Sequence, residues 1–501
     1  MKNRILDWYY TFPIQLLVLH MRSNIFFLFL WLITLALATG LAGLRFGWMY
    51  LFLTPEYLEE VGFWSFMLVG LTFGGFVVTW NVTSYILYSP QFPFLASLQR
   101  PFTKFFMNNG LIPLGFLIIY VWAMIRHQWY YELWSGSDIF YNMLGFVFGF
   151  FITLILTIIY FEYTNKDIFS FKNAIIRPPN LDKPAIRGNK TATIENITAP
   201  EFTRVRSYLN ESFRWRPVRN VAHYEEHYLY KVFRQNHFNA VVVQCVSIMF
   251  LILTGYMIEN PYFRLPAAAS FFILLSVISS IAALLFYWLH KWTNLFIVVL
   301  VLLVNTATKF DMFEFKNRAF GLEYDKTPLD YSYETMDSVH QEKFVEEDKA
   351  AMLQILEKWK ARIPKGKLRE KPKMVLVGTS GGGLRAGLWT MQVLQQADKI
   401  TNGKFMQNTS MVTGASGGMF ALAYYRELYL KKQQGEDIQL DDQVYLDNTG
   451  KDLLNSIMYT MVSSDLFMPW SKFEINGQRY AKDRGYMFEK QFNQNTDGLI
   501  D

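Results

Sequence analysis

Seven long apolar stretches fall within the first 308 residues of this 501-residue chain: 25–44, 63–82, 110–125, 139–161, 240–258, 267–288 and 294–308. About 20 apolar residues cross a bilayer as a helix. Only a helix or a closed barrel satisfies its backbone inside lipid. The stretches therefore predict a polytopic α-helical membrane domain. The strongest are 25–44, 139–161, 240–258 and 267–288, while 294–308 is short enough to be a partial or tilted span. The second stretch contains Gly70, Gly74 and Gly75, small residues of the kind that let helices approach closely in lipid. Tryptophan and tyrosine gather near several ends, as in Trp129-Tyr-Tyr131 and Tyr287-Trp288, as an interfacial belt would require. A large buried helical core is the competing reading. It is disfavoured because so many runs exceed globular helix length without a charge. The first stretch is too long for the apolar region of a signal peptide and no small-residue cleavage site follows it, so it reads as a permanent anchor.

Between the fourth and fifth stretches, 162–238 is polar and strongly basic. Arg177-Pro-Pro-Asn180 and Thr198-Ala-Pro200 mark loop, and Arg204, Arg206, Arg214, Arg216 and Arg219 follow closely. In a membrane protein this reads as a cytoplasmic loop near anionic headgroups. The net charge of +6 over the whole chain is too modest to require a nucleic-acid partner. Within the loop, His223-Tyr-Glu-Glu-His227 matches a zinc-protease pattern, but no third ligand accompanies it, and neither metal nor cofactor is expected. The single cysteine, Cys245, lies inside an apolar run, which excludes a disulfide framework and a thiolate metal site. No buried charged pair along the spans marks a transport path.

Past the last stretch, 309–339 is aromatic, charged and turn-rich, and reads as a connector. Residues 339–363 have helical spacing through Phe344, Val345, Ala351, Leu353, Ile355, Leu356 and Trp359. The acidic front (Glu346, Glu347, Asp348) and basic end (Lys358, Lys360, Arg362) suit the helix dipole. A basic, proline-bounded linker at 364–373 then sets a boundary near 370. Three regions result: a transmembrane domain 1–308 with six or seven helices, a connector with a juxtamembrane helix 309–370, and an α/β domain 371–501.

The last region begins with an apolar strand, Met374-Val-Leu-Val377, then Gly378-Thr-Ser-Gly-Gly-Gly-Leu-Arg-Ala-Gly387 and a helix. A second strand, 410–413, leads into Gly414-Ala-Ser-Gly-Gly418 and another helix. This alternation predicts a parallel sheet, with ligands at the carboxyl ends of its strands. The second turn fits G-x-S-x-G, in which a sharp strand-to-helix turn presents a serine hydroxyl. The first places backbone N–H groups at a helix start, where they can receive negative charge. A dinucleotide turn is the alternative for the first motif. It lacks an acidic residue ending a second strand, since Asp398 falls inside the helix, and no Gly-Lys-Ser/Thr makes a phosphate loop. Nucleophile and oxyanion trap together predict acyl transfer at Ser416.

With both motifs in view, the region resembles the patatin-like phospholipases. Gly381-Gly382-Gly383-Leu384-Arg385 matches that family's glycine-rich oxyanion motif, and Gly414-Ala415-Ser416-Gly417-Gly418 matches its elbow. Ser380 before the glycines and Ala386 after the arginine lean towards the cytosolic phospholipase A2 branch. Asp483-Arg-Gly-Tyr-Met-Phe-Glu489 is a looser likeness further along. The resemblance covers about 373–490 and implies a three-layer α/β domain with a mainly parallel sheet and a Ser–Asp dyad. In it Ser416 attacks an acyl ester, Gly381, Gly382, Gly383 and Gly417 hold the oxyanion, and Arg385 pairs with a lipid phosphate. No histidine follows His340, so a dyad suits the region better than a triad. The family's aspartate sits in an Asp-Gly-Gly/Ala turn after a strand. The Asp-Gly here, Asp497-Gly498, follows the polar run Asn493-Gln-Asn-Thr496, which reads as a loop with no strand feeding it. The partner aspartate is therefore expected beyond residue 501, on a longer chain whose hydrolase domain continues.

These readings converge on a membrane-anchored lipid acyl hydrolase acting on bilayer phospholipid, with the hydrolase domain cytoplasmic if 294–308 is an incomplete span. An acyltransferase using the same acyl-serine is the enzymatic alternative. A lipid-binding pseudoenzyme or membrane scaffold is the non-enzymatic one. Oligomeric state is not legible in the sequence.

Overall fold

The computed structural model describes residues 7–23, 25–44, 47–164, 205–218, 221, 226–289, 292–310, 327, 330–361, 373–468, 470–475 and 477–500. Arg204, Arg219, the His223–Glu225 part of the zinc-like pattern and most of the connector and basic linker lie outside them, and so do the turns at 177–180 and 198–200. The described chain is mostly helical. Its long helices are α1 (Phe12–Ser23), α2 (Ile25–Ala38), α3 (Phe63–Tyr88), α4 (Leu111–Tyr130), α5 (Gly136–Thr164), α6 (Glu226–Tyr256), α7 (Ala267–Leu289) and α8 (Thr293–Lys309). Four segments are long and apolar enough to cross a membrane: Phe63–Gln91, Leu111–Tyr130, Gly136–Thr164 and Ala267–Leu285. Lengths and compositions of this kind are those of a membrane protein.

The spans expected at 63–82, 110–125, 139–161 and 267–288 fall on these four. The one expected at 25–44 does not stand alone. α2 stops at Ala38, and α1 and α2 qualify only as a pair bent by 98°. Gly40 and Gly43 explain the stop, because both have left-handed φ, 77° and 70°, which ends a helix readily only at glycine. The 240–258 stretch forms the later part of α6, and 294–308 is a short apolar helix, Leu295–Ala307.

α3 and α5 meet at glycines. A Cβ on Gly70 would lie 2.0 Å from the carbonyl oxygen of Phe146, and one on Gly149 would lie 2.0 Å from that of Met67. At Gly145 the oxygen of Phe63 would be 2.3 Å away, and at Gly74 that of Phe150 would be 3.0 Å away. Two G-x-x-x-G spacings thus face one another with backbone against backbone. Thr153 spans the seam, donating from Oγ1 to the carbonyl of Leu71 at 2.9 Å. Gly75 looks into open space and takes no part.

Beside this seam lies an aromatic core. Phe73 stacks on Phe116 and Phe150 and meets Phe272 edge-on, while Trp31 packs on Phe76. Buried polar side chains catch helix-end carbonyls that lipid could not satisfy. The short helix Trp48–Leu53 ends with the carbonyl of Phe52 accepting from the Tyr120 hydroxyl at 2.7 Å and that of Leu53 from Gln128 at 3.0 Å. A small hairpin, β1 (Ser207–Leu209) and β2 (Trp215–Pro217), is tied to the same unit by Asn108. That side chain exchanges two 2.8 Å hydrogen bonds with the backbone of Leu209. Of the loop arginines, Arg206 pairs with Asp7 at 2.7 Å, and Arg214 and Arg216 are exposed.

The chain forms two compact units. The first comprises Met1–Glu314 with Leu454–Ser471 and Lys482–Met487, and the second comprises Phe315–Leu453, Lys472–Ala481 and Phe488–Asp501. Further helices are α9 (Glu342–Ala361), α10 (Gly383–Ile400), α11 (Ser416–Gln433), α12 (Gln443–Gly450), α13 (Leu454–Val462) and α14 (Arg484–Asn495), with shorter ones at Pro101–Asn108, Tyr333–Val339, Lys404–Asn408 and Ser464–Phe467. The first unit includes α13. Asn455 on that helix accepts from the backbone N–H of Ala267 at 2.7 Å, capping α7, and donates to the carbonyl of Glu56 at 2.6 Å. Tyr459 and Val462 pack against Ile258 and Met487.

In the second unit, β3 (Val375–Thr379) pairs in parallel with β4 (Thr409–Gly414), bringing Gly378 opposite Thr413 and Thr379 opposite Gly414. α10 connects the two strands and α11 follows the second. The buried Met391, Leu394, Tyr424, Tyr425 and Leu428 of these helices form the core. A separate antiparallel hairpin, β5 (Lys472–Ile475) and β6 (Gln478–Ala481), turns at Gly477. The parallel sheet has two strands among the described residues, a smaller sheet than the three-layer expectation calls for.

Candidate active site

The two glycine turns end adjacent parallel strands and open neighbouring helices. The backbone N–H of Ala415 donates to the carbonyl of Thr379 at 3.2 Å, so strand pairing continues into the second turn. Helix α11 then starts at Ser416, and helix α10 starts at Gly383. Each helix start leaves backbone N–H groups without intrahelical acceptors. Both also carry the positive end of a helix dipole.

Ser416 has φ of 51°. That left-handed conformation costs an L-residue about 1–2 kcal/mol, and strain of this kind, held at an exposed serine between a strand and a helix, is characteristic of functional sites. The side chain is exposed, and among the described residues its hydroxyl makes no hydrogen bond. Gly381 lies against it: a Cβ there would come within 3.0 Å of Ser416 Cβ and 3.6 Å of Oγ. Gly382 and Gly383 follow with φ of 153° and 64°, so the loop that faces Ser416 takes a path open chiefly to glycine.

Every glycine of the elbow is held by a near contact. A Cβ on Gly417 would sit 1.9 Å from the carbonyl oxygen of Gly383, and one on Gly418 would sit 2.4 Å from that of Ser380. At Gly414 it would meet Thr379 Oγ1 at 2.4 Å. The two turns are thus packed main chain on main chain. Replacing Gly417 with alanine is expected to lower stability by about 3 kcal/mol, in the range of a forced overpacking. A denaturation midpoint unchanged from wild type would show that the two turns are not in contact.

Arg385, in the first turn of α10, is exposed and has no ion pair among the described residues, so its guanidinium is open to an anion. Asp497 is held by a hydrogen bond of its own. Its carboxylate accepts from Asn448 Nδ2 at 2.9 Å, and the same nitrogen approaches the Tyr424 hydroxyl at 3.1 Å. Burial pushes the Tyr424 phenol up to about 12, against the effect of the Asn448 hydrogen bond, and the Asp497 carboxylate adds to the rise. No hydrogen bond joins Asp497 to Ser416 among the described residues.

The run Asn493-Gln-Asn-Thr496 is not a loop, as α14 continues through Asn495. Asp497 and Gly498 take left-handed φ of 56° and 75°, and the N–H of Gly498 donates back to the carbonyl of Asn493 at 2.8 Å. This Asp-Gly is a helix C-terminal cap. At the other end, Asp483 caps α14, accepting from Gly485 at 2.9 Å and Tyr486 at 3.1 Å. The start of the Arg-Gly-aromatic segment thus serves as a helix N-terminus. Sequence reasoning missed Thr379, whose buried hydroxyl has no hydrogen-bond partner among the described residues and lies between Gly414 and Gly418.

Comparison with protein families, with curated proteins and with solved structures gives no match for this chain.

Proposed function

We propose that this membrane protein is a serine-dependent lipid acyl hydrolase, with Ser416 as nucleophile and Gly381, Gly382, Gly383 and Gly417 around the oxyanion. The observation that carries this reading is the left-handed backbone of Ser416 beside Gly381, at the junction of a parallel strand and a helix. Strain of this kind is expected where the hydroxyl must project into the space in front of the glycine turn. Attack by Oγ on an acyl carbonyl would form a tetrahedral centre whose charge falls on backbone N–H groups. The proton of Oγ must pass to a base, which the reading assigns to an aspartate other than Asp497. Collapse would expel the alcohol and leave an acyl-serine. Water would then release the fatty acid, or a second alcohol would accept it. Arg385, open at the helix start, would bind the phosphate of the lipid, and the apolar spans would keep the site at the surface where that lipid is concentrated.

A fluorophosphonate probe tests this on the full chain in phospholipid nanodiscs. Wild type is expected to label covalently, with the adduct at Ser416, and Ser416→Ala to remain unlabelled. Labelled protein with no fatty-acid release from phospholipid would favour transfer to another alcohol. Failure of wild type to label would leave a lipid-binding module without catalysis.

A further inference from the structure

Helix α9 carries a broad apolar face that nothing among the described residues covers. At 3.6 residues per turn, Phe344, Val345, Met352, Ile355, Leu356 and Trp359 share one side, interrupted in its front half by Asp348 and unbroken from Met352 onward. None of the helix's side chains is buried, with Met352 at 56% and Ile355 at 59% exposure. Lys349 and Lys360 fall along one border of the face and Lys358 along the other, while Glu346, Ala350 and Glu357 occupy the opposite side. We propose that α9 lies flat on the bilayer surface, with Met352, Ile355, Leu356 and Trp359 in the acyl–headgroup boundary and its bordering lysines on anionic lipid.

Four observations select lipid as the occupant. The helix is too charged to span, since Glu342, Glu346, Glu347, Asp348 and Glu357 alternate with four lysines. A wide apolar face bordered by lysine stems is the composition of an interfacial helix. The seam a second copy would use is also poor. Val345, Met352 and Trp359 would take the a positions of a two-stranded coil and Ile355 one d position, but the other d position is Asp348. Finally, the sequence directly after the helix carries Arg362, Lys365, Lys367, Arg369, Lys371 and Lys373 against Glu370 alone. Basic charge beside an amphipathic helix favours a negative membrane surface. The acidic front half and basic rear half of α9 imply that the C-terminal end sits deeper. The inference is independent of whether Ser416 is a nucleophile.

The test places single spin labels at Met352, Ile355, Ala350 and Glu357 in full-length protein with Cys245→Ser. Nanodiscs are made of phosphatidylcholine alone or mixed with phosphatidylserine. The expected result is several-fold greater collision with oxygen relative to a water-soluble nickel chelate at 352 and 355 than at 350 and 357. Adding phosphatidylserine should increase the difference. All four labels being equally open to nickel would overturn the proposal. Labels at 352 and 355 shielded from both reagents would also overturn it, because protein rather than lipid would then cover the face. Equal depth in both lipids would remove the anionic-surface part. These positions are exposed, so the labels are not expected to disturb folding.

Discussion

Gly70→Ala and Gly149→Ala each lower the stability of the membrane unit by about 3 kcal/mol in an SDS-unfolding titration, the cost of overpacking a close contact. Gly75→Ala leaves it unchanged or slightly raised. The reason is geometric. The smallest possible side chain at Gly70 or Gly149 would lie 2.0 Å from a carbonyl oxygen of the partner helix, and backbone cannot rotate away as a flexible side chain can. Lipid offers no hydrophobic drive between helices, so close packing must supply the association. Separating α3 from α5 by a methyl diameter would also stretch the Thr153–Leu71 hydrogen bond. Gly75, one residue from Gly74, faces open space, so alanine there gains only its better helix propensity, up to about 1 kcal/mol. If all three variants unfolded together, the loss would reflect general helix chemistry, and the glycine seam would not be the contact that holds α3 to α5.

Ser416→Gly raises stability and removes covalent labelling at the same time. Glycine adopts φ of 51° without the clash an L-residue suffers. Relief of about 1–2 kcal/mol exceeds the extra entropy glycine gives the unfolded chain, roughly 0.4–1 kcal/mol. The net gain of about 1 kcal/mol should appear as an increase of roughly 2–4 °C in thermal midpoint for a unit of this size. Ser416→Ala keeps the Cβ and hence the strain, so it should lose labelling with no rise in midpoint. A wild-type midpoint for Ser416→Gly would mean that the backbone is relaxed at this position. The pairing of the two variants separates strain from chemistry, which activity loss alone cannot do.

The elbow was legible in the sequence because its determinants are local. Glycines within five residues fix a strand-to-helix turn, and the same glycines prove to be those with no room for a side chain. The glycine seam was half legible. Gly70 and Gly74 stood out in the second apolar stretch, whereas Gly145 and Gly149 were overlooked inside the fourth. Their four-residue spacing was the available signal. The early stop of α2 was missed because apolar composition continues through Leu41 and Leu44 while the backbone has already turned at Gly40. Asp497 was misread as following a loop because α14 is polar, and its helical nature rests on contacts such as Phe488 and Phe492 against Phe420. Helix α13 was not legible as part of the membrane unit. It is too short to register as a span, and its partners lie 188 and 399 residues away along the chain.

That last feature bears on how the protein is made. The start of α7 obtains its cap from Asn455, which leaves the ribosome long after the spans themselves. For the time needed to synthesise nearly all of the second unit, the first stands in the bilayer with an unsatisfied helix end and without Tyr459 and Val462. Pairings at such separations form late because the intervening chain must be closed into a loop before they contribute. Assembly of the membrane unit is thereby timed by synthesis of the chain through α13, and a nascent chain released before that point would leave behind spans that had inserted but not matured.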